Sequence, residues 1–196
     1  MKKTTMIILA VIAVLVLWCI SAYNGMVGVQ EDATQAWSDV QNTYQRRADL
    51  IPNLVETVKG YAQHEENTFK EVVEARAKAT SMNIDPSNCT PEQLAEFQKA
   101  QGELGSALGR LIAVSENYPE LKANENFLEL QAQLEGTENR IAVERGKFNE
   151  TVNDYNSYIR RFPNNIVAGM FNFDKKGYFK ATEGADKAPD VEFNFN

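Results

Sequence analysis

Apolar side chains recur at steps of three and four residues along the first half of the chain, and this period limits the fold more than any other feature. The pattern begins at Ala33 and continues at Trp37, Val40, Tyr44, Ala48, Ile51, Leu54, Val55, Val58, Tyr61, Ala62, Phe69, Val72 and Ala75. Such spacing places one apolar stripe along one face of a helix. We therefore predict a long first helix.

Pro52 lies within this pattern without changing its phase. A proline inside a helix removes the hydrogen bond to the carbonyl four residues earlier, here that of Ala48, and crowds the same turn. The sequence thus predicts one helix that kinks at Pro52. The alternative is a pair of helices that meet near Gly60.

Two more helices are predicted downstream. The sequence TPEQ at residues 90–93 is a strong helix start, because it combines a threonine cap, a proline at the first helical position and a glutamine that completes a capping box. This helix should end near Ser115. The next should run from about Asn124 to Phe162, where a proline follows, with Gly136 as a point at which it could divide.

Glycines and loop-forming residues mark the remaining features of this region. Gly102, Gly105 and Gly109 weaken the second helix locally, and their small spacing predicts a close approach to a neighbouring helix. Residues 81–90 and 117–126 are rich in asparagine and contain proline, so we expect connections there. The second connection has room for one helical turn of its own.

Short connections between long amphipathic helices predict an all-α fold, an antiparallel bundle of three or four helices. We assign residues 24–162 to this bundle. Residues 163–196 contain glycines and clustered aromatic residues without a helical period. This composition predicts an irregular tail that packs against the bundle. For the last residues the alternative is a strand, formed by Val191, Phe193 and Phe195, that joins a partner's sheet edge.

An apolar run precedes the bundle. Residues 1–5 are a short basic N-terminus, and residues 6–23, MIILAVIAVLVLWCISAY, would span about 27 Å as a helix. We predict one transmembrane signal-anchor helix. The alternative is a cleaved secretory signal, but Ile20 then stands where a cut after Ala22 requires a small residue.

Charge predicts the orientation of this helix. Lys2 and Lys3 precede the run, and Glu31, Asp32 and Asp39 follow it, so the N-terminus should stay in the cytoplasm and the bundle should lie outside the bacterial cytoplasmic (inner) membrane. The exported part holds 27 acidic and 18 basic residues, a net charge of −9. This acidic balance argues against a nucleic-acid partner.

The sequence offers little for catalysis. His64 is the only histidine, and a lone histidine beside glutamates is typical of a solvated helix residue. Cys89 is predicted to be an exposed loop thiol, and Cys19 lies in the apolar run, so no disulfide is expected within the bundle. The glycines of residues 102–109 follow no strand, which argues against a phosphate-binding loop. We expect no enzyme activity, no metal and no cofactor.

Polar residues surround Pro52 on a helix that is otherwise built for a core. They are Arg46, Arg47, Asp49, Asn53, Glu56, Lys59 and His64. One interpretation is a solvated face with Arg46–Asp49 and Glu56–Lys59 pairs. The other is a partner-docking surface, in which paired arginines meet the carboxylates of a partner.

Four segments together resemble the LemA family of bacterial membrane-anchored helical proteins. They are RRADLIPNLVETVKGYAQHE at 46–65, ENYPELKANENF at 116–127, RIAVERGKFNETVNDYN at 140–156 and IRRFP at 159–163. The resemblance implies a four-helix bundle whose first helix continues from the membrane span. It also implies association with membrane proteins that carry TPM domains or with HtpX-type membrane proteases in quality control.

Two functions are compatible with these features, and a third, an enzyme, would need a cluster of convergent carboxylates or tyrosines that the spacing does not reveal. The favoured hypothesis is a non-enzymatic, membrane-anchored scaffold or adaptor that binds other envelope membrane proteins. A second is a module that holds a lipid, peptide or small molecule in the bundle interior, where misfit space near Gly102, Gly105 and Gly109 would favour it. Sustained apolar stripes also allow a homo-oligomer through a coiled-coil seam.

Overall fold

The computed structural model describes residues 3–82, 84–86 and 89–180, which form helices and connections without a strand. The long helices are α1 (Lys3–Lys59), α2 (Glu66–Ser81), α3 (Pro91–Val114) and α5 (Glu125–Arg160). Two short helices, α4 (Pro119–Lys122) and α6 (Asn164–Met170), follow α3 and α5 respectively, and Ser115–Asn117 form a 3-10 turn. The prediction of an all-α fold is confirmed for the described residues.

Helix α1 is continuous from the apolar run through Pro52 to Lys59. Pro52 has no N–H to donate to the Ala48 carbonyl, and Arg76 Nε on α2 donates to that carbonyl instead, at 2.9 Å. The chain then turns, and α2 begins at Glu66. The alternative of two helices that meet near Gly60 is therefore correct, and a single helix through Ala75 is wrong.

The remaining helix bounds follow local sequence signals. Thr90 accepts a hydrogen bond from the Gln93 N–H while the Gln93 side chain accepts from the Thr90 N–H, which completes the predicted capping box. Asn124 caps α5 by accepting from the Phe127 N–H at 3.0 Å. Helix α5 continues through Gly136 without a break. The helical turn expected between α3 and α5 is α4.

Packing joins α1 to α5 along much of their length and α2 to α3. The core has three sections. The first, farthest from the N-terminus of α1, contains Leu54, Val58, Val72, Leu111 and Phe127 among others. The middle section is aromatic and contains Trp37, Phe97, Phe148 and Phe179. The third joins the end of the apolar run to α5 and α6 through Ala22, Met26, Tyr155, Ile159, Val167 and Ala168.

The glycine prediction is wrong. A Cβ atom added at Gly102, Gly105 or Gly109 would meet nothing within 4 Å, so these glycines do not permit a close helix contact. Two other glycines do. A Cβ at Gly25 would collide with the Tyr158 hydroxyl oxygen, and one at Gly177 would lie 2.8 Å from Cα of Pro91.

The first residues of the tail, predicted to be irregular, form a helix. Asn164–Met170 form α6, after a cis peptide bond between Phe162 and Pro163, so the prediction of an irregular tail is wrong for these residues. Residues 173–180 have no regular secondary structure and pack on the bundle. The hypothesis of a strand at Val191, Phe193 and Phe195 lies outside the described residues.

Candidate functional site

Arg47, one of the predicted docking residues, lies inside the bundle with 3% of its surface exposed. Its Nη1 donates to Glu138 Oε1 on α5 at 2.5 Å. Its Nη2 donates to the side-chain oxygen of Gln101 on α3 at 2.5 Å and to the Gln101 carbonyl at 3.2 Å. Gln101 Nε2 in turn donates to the Ala79 carbonyl of α2 at 3.3 Å. One polar network therefore joins all four long helices.

The surroundings of Arg47 show that it has a structural role. Its guanidinium carbon lies 5.1 Å from the centre of the Tyr44 ring, and burial raises the pKa of the Tyr44 hydroxyl although the charges of Arg145 and Arg47 oppose that shift. The two terminal nitrogens of the buried guanidinium have acceptors, whereas its Nε has no hydrogen-bond partner among the described residues. The acceptors on Glu138 and Gln101 are what make burial of this charge tolerable. The docking hypothesis does not fit Arg47, because a partner cannot reach its side chain.

The other seven predicted docking residues are exposed. Arg46, Asp49, Asn53 and Glu56 line a furrow between α1 and α5. Asp49 Oδ1 accepts a hydrogen bond from Gln45 Nε2 at 2.7 Å. This furrow is the candidate functional site. Pro52, Lys59 and His64 also lie on the exposed side of this region, with His64 in the turn before α2.

The α5 wall of the furrow carries charges of both signs. Glu144 is buried, and Lys147 Nζ and Arg140 Nε lie 3.2 and 3.8 Å from its Oε1. Gln133 and Thr137 stand on the same wall. Long charged side chains on an open surface suit reversible polar contacts, since they are already solvated and cost little to rearrange.

Features that would support catalysis are weak in the described residues. Among them no group of three His, Cys, Asp or Glu side chains could hold a metal. Cys89 is buried rather than exposed as predicted. Burial raises the pKa of its thiol to about 11, so it is protonated near neutral pH and is a poor nucleophile.

Sequence reasoning missed a second polar site, the cleft between α3 and α5 that holds residues 174–180. Three side-chain amides each contact both the N–H and the C=O of one tail residue. Asn156 pairs with Lys176 at 3.0 and 3.0 Å, Asn149 with Phe179 at 2.8 and 2.9 Å, and Gln98 with Lys180 at 3.2 and 2.8 Å. These amides make the backbone hydrogen bonds that a neighbouring strand would make in a sheet.

Further contacts complete this tail cleft. The Gly177 N–H donates to the Cys89 carbonyl at 3.1 Å, and the Tyr155 hydroxyl donates to the Asp174 carbonyl at 2.9 Å. Lys176 is 4% exposed and its Nζ donates to the Pro86 carbonyl. The Phe179 ring lies against Trp37 and Phe148, with centroids 6.0 and 5.5 Å apart. The asparagines in the segment 140–156 could have indicated this cleft. Their spacing alone does not distinguish side chains that bind the tail from side chains on a solvated helix surface.

A family model described as the LemA family matches residues 36–193. The chain belongs to the LemA family. The match begins within α1, beyond the apolar run, and includes both the furrow and the tail cleft. The predicted LemA resemblance is therefore confirmed, and Arg47 and Asn156 show that two of its motifs contain residues with buried structural contacts.

Relatives of this LemA-family chain are found in several bacteria. Magnetosome protein MamQ 1 of Paramagnetospirillum magneticum and Magnetosome protein MamQ of Magnetospirillum gryphiswaldense are each 28% identical to it over 181 residues, which cover 84% of this chain and 66% of the relative. Protein LemA of Metamycoplasma hominis is 26% identical over 160 residues, covering 82% of this chain and 69% of the relative. The chain thus spans slightly less than two thirds of the magnetosome relatives.

Proposed function

We propose that this protein is a non-enzymatic, membrane-anchored adaptor that binds other envelope membrane proteins through the furrow between α1 and α5. In this proposal α1, α2, α3 and α5 are the four helices of an antiparallel bundle. The observation that carries it is the continuity of α1, in which one 57-residue helix contains both the apolar run and one wall of the furrow.

The continuous helix sets the distance between the furrow and the membrane. Helix α1 contains a segment long and apolar enough to cross a bilayer, and its side chains from Met6 to Leu17 are exposed on the protein. At about 1.5 Å per residue, Arg46 lies about 35 Å beyond Tyr23 along the helix axis and Glu56 about 50 Å. A partner would therefore contact the furrow with a domain that projects from the same membrane.

The orientation of the anchor determines the compartment. The two lysines before the apolar run favour a cytoplasmic N-terminus, which places the furrow outside the inner membrane. Partner classes implied by the family resemblance are proteins with TPM domains and HtpX-type membrane proteases, with a role in membrane-protein quality control. The relatives named magnetosome proteins suggest a second context for a protein of this family.

A site-specific photo-crosslinker tests the furrow. We would place it at Asn53, which lines the furrow, and at Lys70, an exposed residue of α2 on a different surface. The full-length protein in its native membrane should give a discrete crosslinked membrane protein from Asn53 and not from Lys70. Arg46→Glu should abolish that product, because it reverses one charge of the furrow. Equal products from both positions would contradict the proposal.

A second candidate function is capture of an extended peptide in the tail cleft. Backbone recognition by Asn156, Asn149 and Gln98 depends little on sequence, and Lys176 and Phe179 act as the buried anchors of the bound segment. A partner segment with a lysine and a phenylalanine three residues apart would fit by exchange with the tail. A labelled peptide of residues 172–182 should bind a Phe179→Ala protein more tightly than the native one. Equal binding to both would contradict this function.

A cavity in the bundle interior at the glycines of α3 is not supported. The space beside Gly102, Gly105 and Gly109 is open, and Gly102 and Gly109 are exposed. The three glycines therefore border open space and not an enclosed cavity that could hold a ligand.

A further inference from the structure

Apolar side chains are exposed on α6 and beside it. Phe162, Ile166 and Met170 follow one another at intervals of four residues, and their exposed fractions are 82, 53 and 68%. Phe171, next in the chain, is 49% exposed. Val167 and Ala168 on the other side of α6 are buried. Ile166 and Met170 lie four residues apart within α6 and so share one face of that helix. Phe162 precedes the helix and Phe171 follows it, and we call these four exposed residues the apolar row.

The contacts of α6 place this row beside the point where α1 leaves the apolar run. Val167 and Ala168 pack with Ala22 and Met26. The Phe171 ring meets the Tyr23 ring edge to face, with centroids 4.9 Å apart. Because the apolar run ends at Tyr23, a bilayer crossed by that run would have its headgroup boundary at the level of α6.

Two positive charges directly precede the row in the chain. Arg160 and Arg161 are exposed directly before Phe162, although the exported part of the chain is acidic as a whole. An amphipathic segment with apolar side chains on one face and arginines at its edge is the composition that lies in the interface of an anionic bilayer. Because the rest of the exported part is negatively charged, it needs a local positive region such as this one to approach an anionic bilayer.

We propose that α6 with Phe162 and Phe171 is a second membrane contact, a foot that inserts at the boundary between headgroups and acyl chains. Arg160 and Arg161 contact the phosphates of anionic lipids. This inference depends on the membrane anchor of the proposed function. Four side chains bind a bilayer weakly by themselves, but the adjacent anchor supplies a high effective concentration. The foot fixes the tilt of the body, and so the height of the furrow above the membrane.

Spin labels on the full-length protein test this contact. We would attach a nitroxide at Met170→Cys and, separately, at Ile166→Cys, in a Cys19→Ala background with the buried Cys89 retained. The control is Val143→Cys, because Val143 is 55% exposed on α5 and lies about 24 Å along that helix from Ile159. Each protein is reconstituted in phosphatidylcholine vesicles that contain phosphatidylglycerol. Flotation of the vesicles then shows whether the anchor holds.

The readout is the collision rate of each label with oxygen, which concentrates in the bilayer, and with a water-soluble nickel chelate. Oxygen collisions should exceed nickel collisions at positions 166 and 170, with the reverse at position 143. Equal nickel access at 143 and 170 in floated protein would overturn the foot and leave the anchor intact. A label shielded from both reagents would show that protein covers the row, which also overturns the inference. Protein that fails to float would remove the anchor and the foot together.

The lipid charge gives an independent measurement. Changing both Arg160→Gln and Arg161→Gln should lower the oxygen-to-nickel ratio at position 170 in vesicles with phosphatidylglycerol, and should have little effect in phosphatidylcholine alone. Equal changes in the two vesicle types would overturn the assigned phosphate contact.

Discussion

Helix α5 contributes polar side chains to both the furrow and the tail cleft. The side chains in the tail cleft already have protein partners, whereas the cationic side chains in the furrow face solvent. In the furrow, Arg140 and Lys147 reach into solvent around Glu144. In the tail cleft, the side-chain amides of Asn149 and Asn156 each donate to the C=O and accept from the N–H of one tail residue, Phe179 and Lys176 respectively. The difference teaches that polar residues with satisfied, buried partners define the fold, whereas solvated charges remain available to another molecule.

The largest effect should follow the loss of the most buried polar group. Arg47→Ala removes the donor shared by α3 and α5 and leaves the Gln101 carbonyl and side-chain oxygen without it. We expect the free energy of unfolding to fall by about 2–6 kcal/mol, because two buried neutral acceptors lose their donor at about 1–3 kcal/mol each. Chemical unfolding of the full chain in detergent, followed by circular dichroism, measures it. Arg46→Ala is the matched control, and a similar loss in both variants would contradict the comparison.

An intermediate effect is expected in the tail cleft. Asn156→Ala leaves the N–H and C=O of Lys176 without their side-chain partners, which should cost about 1–3 kcal/mol. The loss should be local, so hydrogen exchange at residues 176–179 should accelerate more than exchange in α2. Asn153→Ala, an exposed change on the same helix, should leave both rates unchanged. Uniform acceleration throughout the chain would show that the tail and bundle unfold as one unit.

The reactivity of the Cys89 thiol measures whether the tail stays bound in the tail cleft. Its folded-state pKa of about 11 lies above the usual thiol value, so the thiol stabilises the fold fully below pH about 8.5 and this contribution is lost as pH rises toward 11. Gly177→Ala should increase the rate of alkylation of Cys89 at pH 8, because a Cβ there meets the Pro91 backbone. The measurement is mass spectrometry after iodoacetamide, in a Cys19→Ala protein. An unchanged rate would mean that the cleft stays closed.

The smallest effect on stability should come from the furrow. Arg46→Ala should change the free energy of unfolding by less than about 0.5 kcal/mol, as is usual for exposed positions. The same change should weaken crosslinking from Asn53. A large loss of stability would show that the furrow is part of the core, and would remove the reason for treating it as a docking surface.

Several elements of the fold could be predicted because their causes are local. The Thr90 capping box, the Asn124 cap and the end of α5 before Pro163 are encoded by residues within four positions of one another. The turn after Lys59 was not decided by periodicity, since the apolar stripe keeps a helical phase on both sides of it. The direction of the chain there depends on α2 packing against α3.

The candidate site was predicted only in part. Seven of the eight predicted docking residues are exposed and Arg47 is buried, but only Arg46, Asp49, Asn53 and Glu56 line the furrow. The tail cleft was not predicted, because Asn149 and Asn156 contact residues about 20 to 30 positions away in sequence. Glycine spacing was misleading for the same reason, as Gly177 rather than Gly105 meets another backbone.

The sequence by itself determined the helical class, the caps, the apolar run and the membership of the LemA family, because each depends on spacing within a short segment. Only the tertiary structure decided which of two adjacent arginines is buried. Arg46 and Arg47 are chemically identical, but a helix turns about 100° per residue. That rotation directs Arg47 toward acceptors 54 and 91 residues away and leaves Arg46 in solvent.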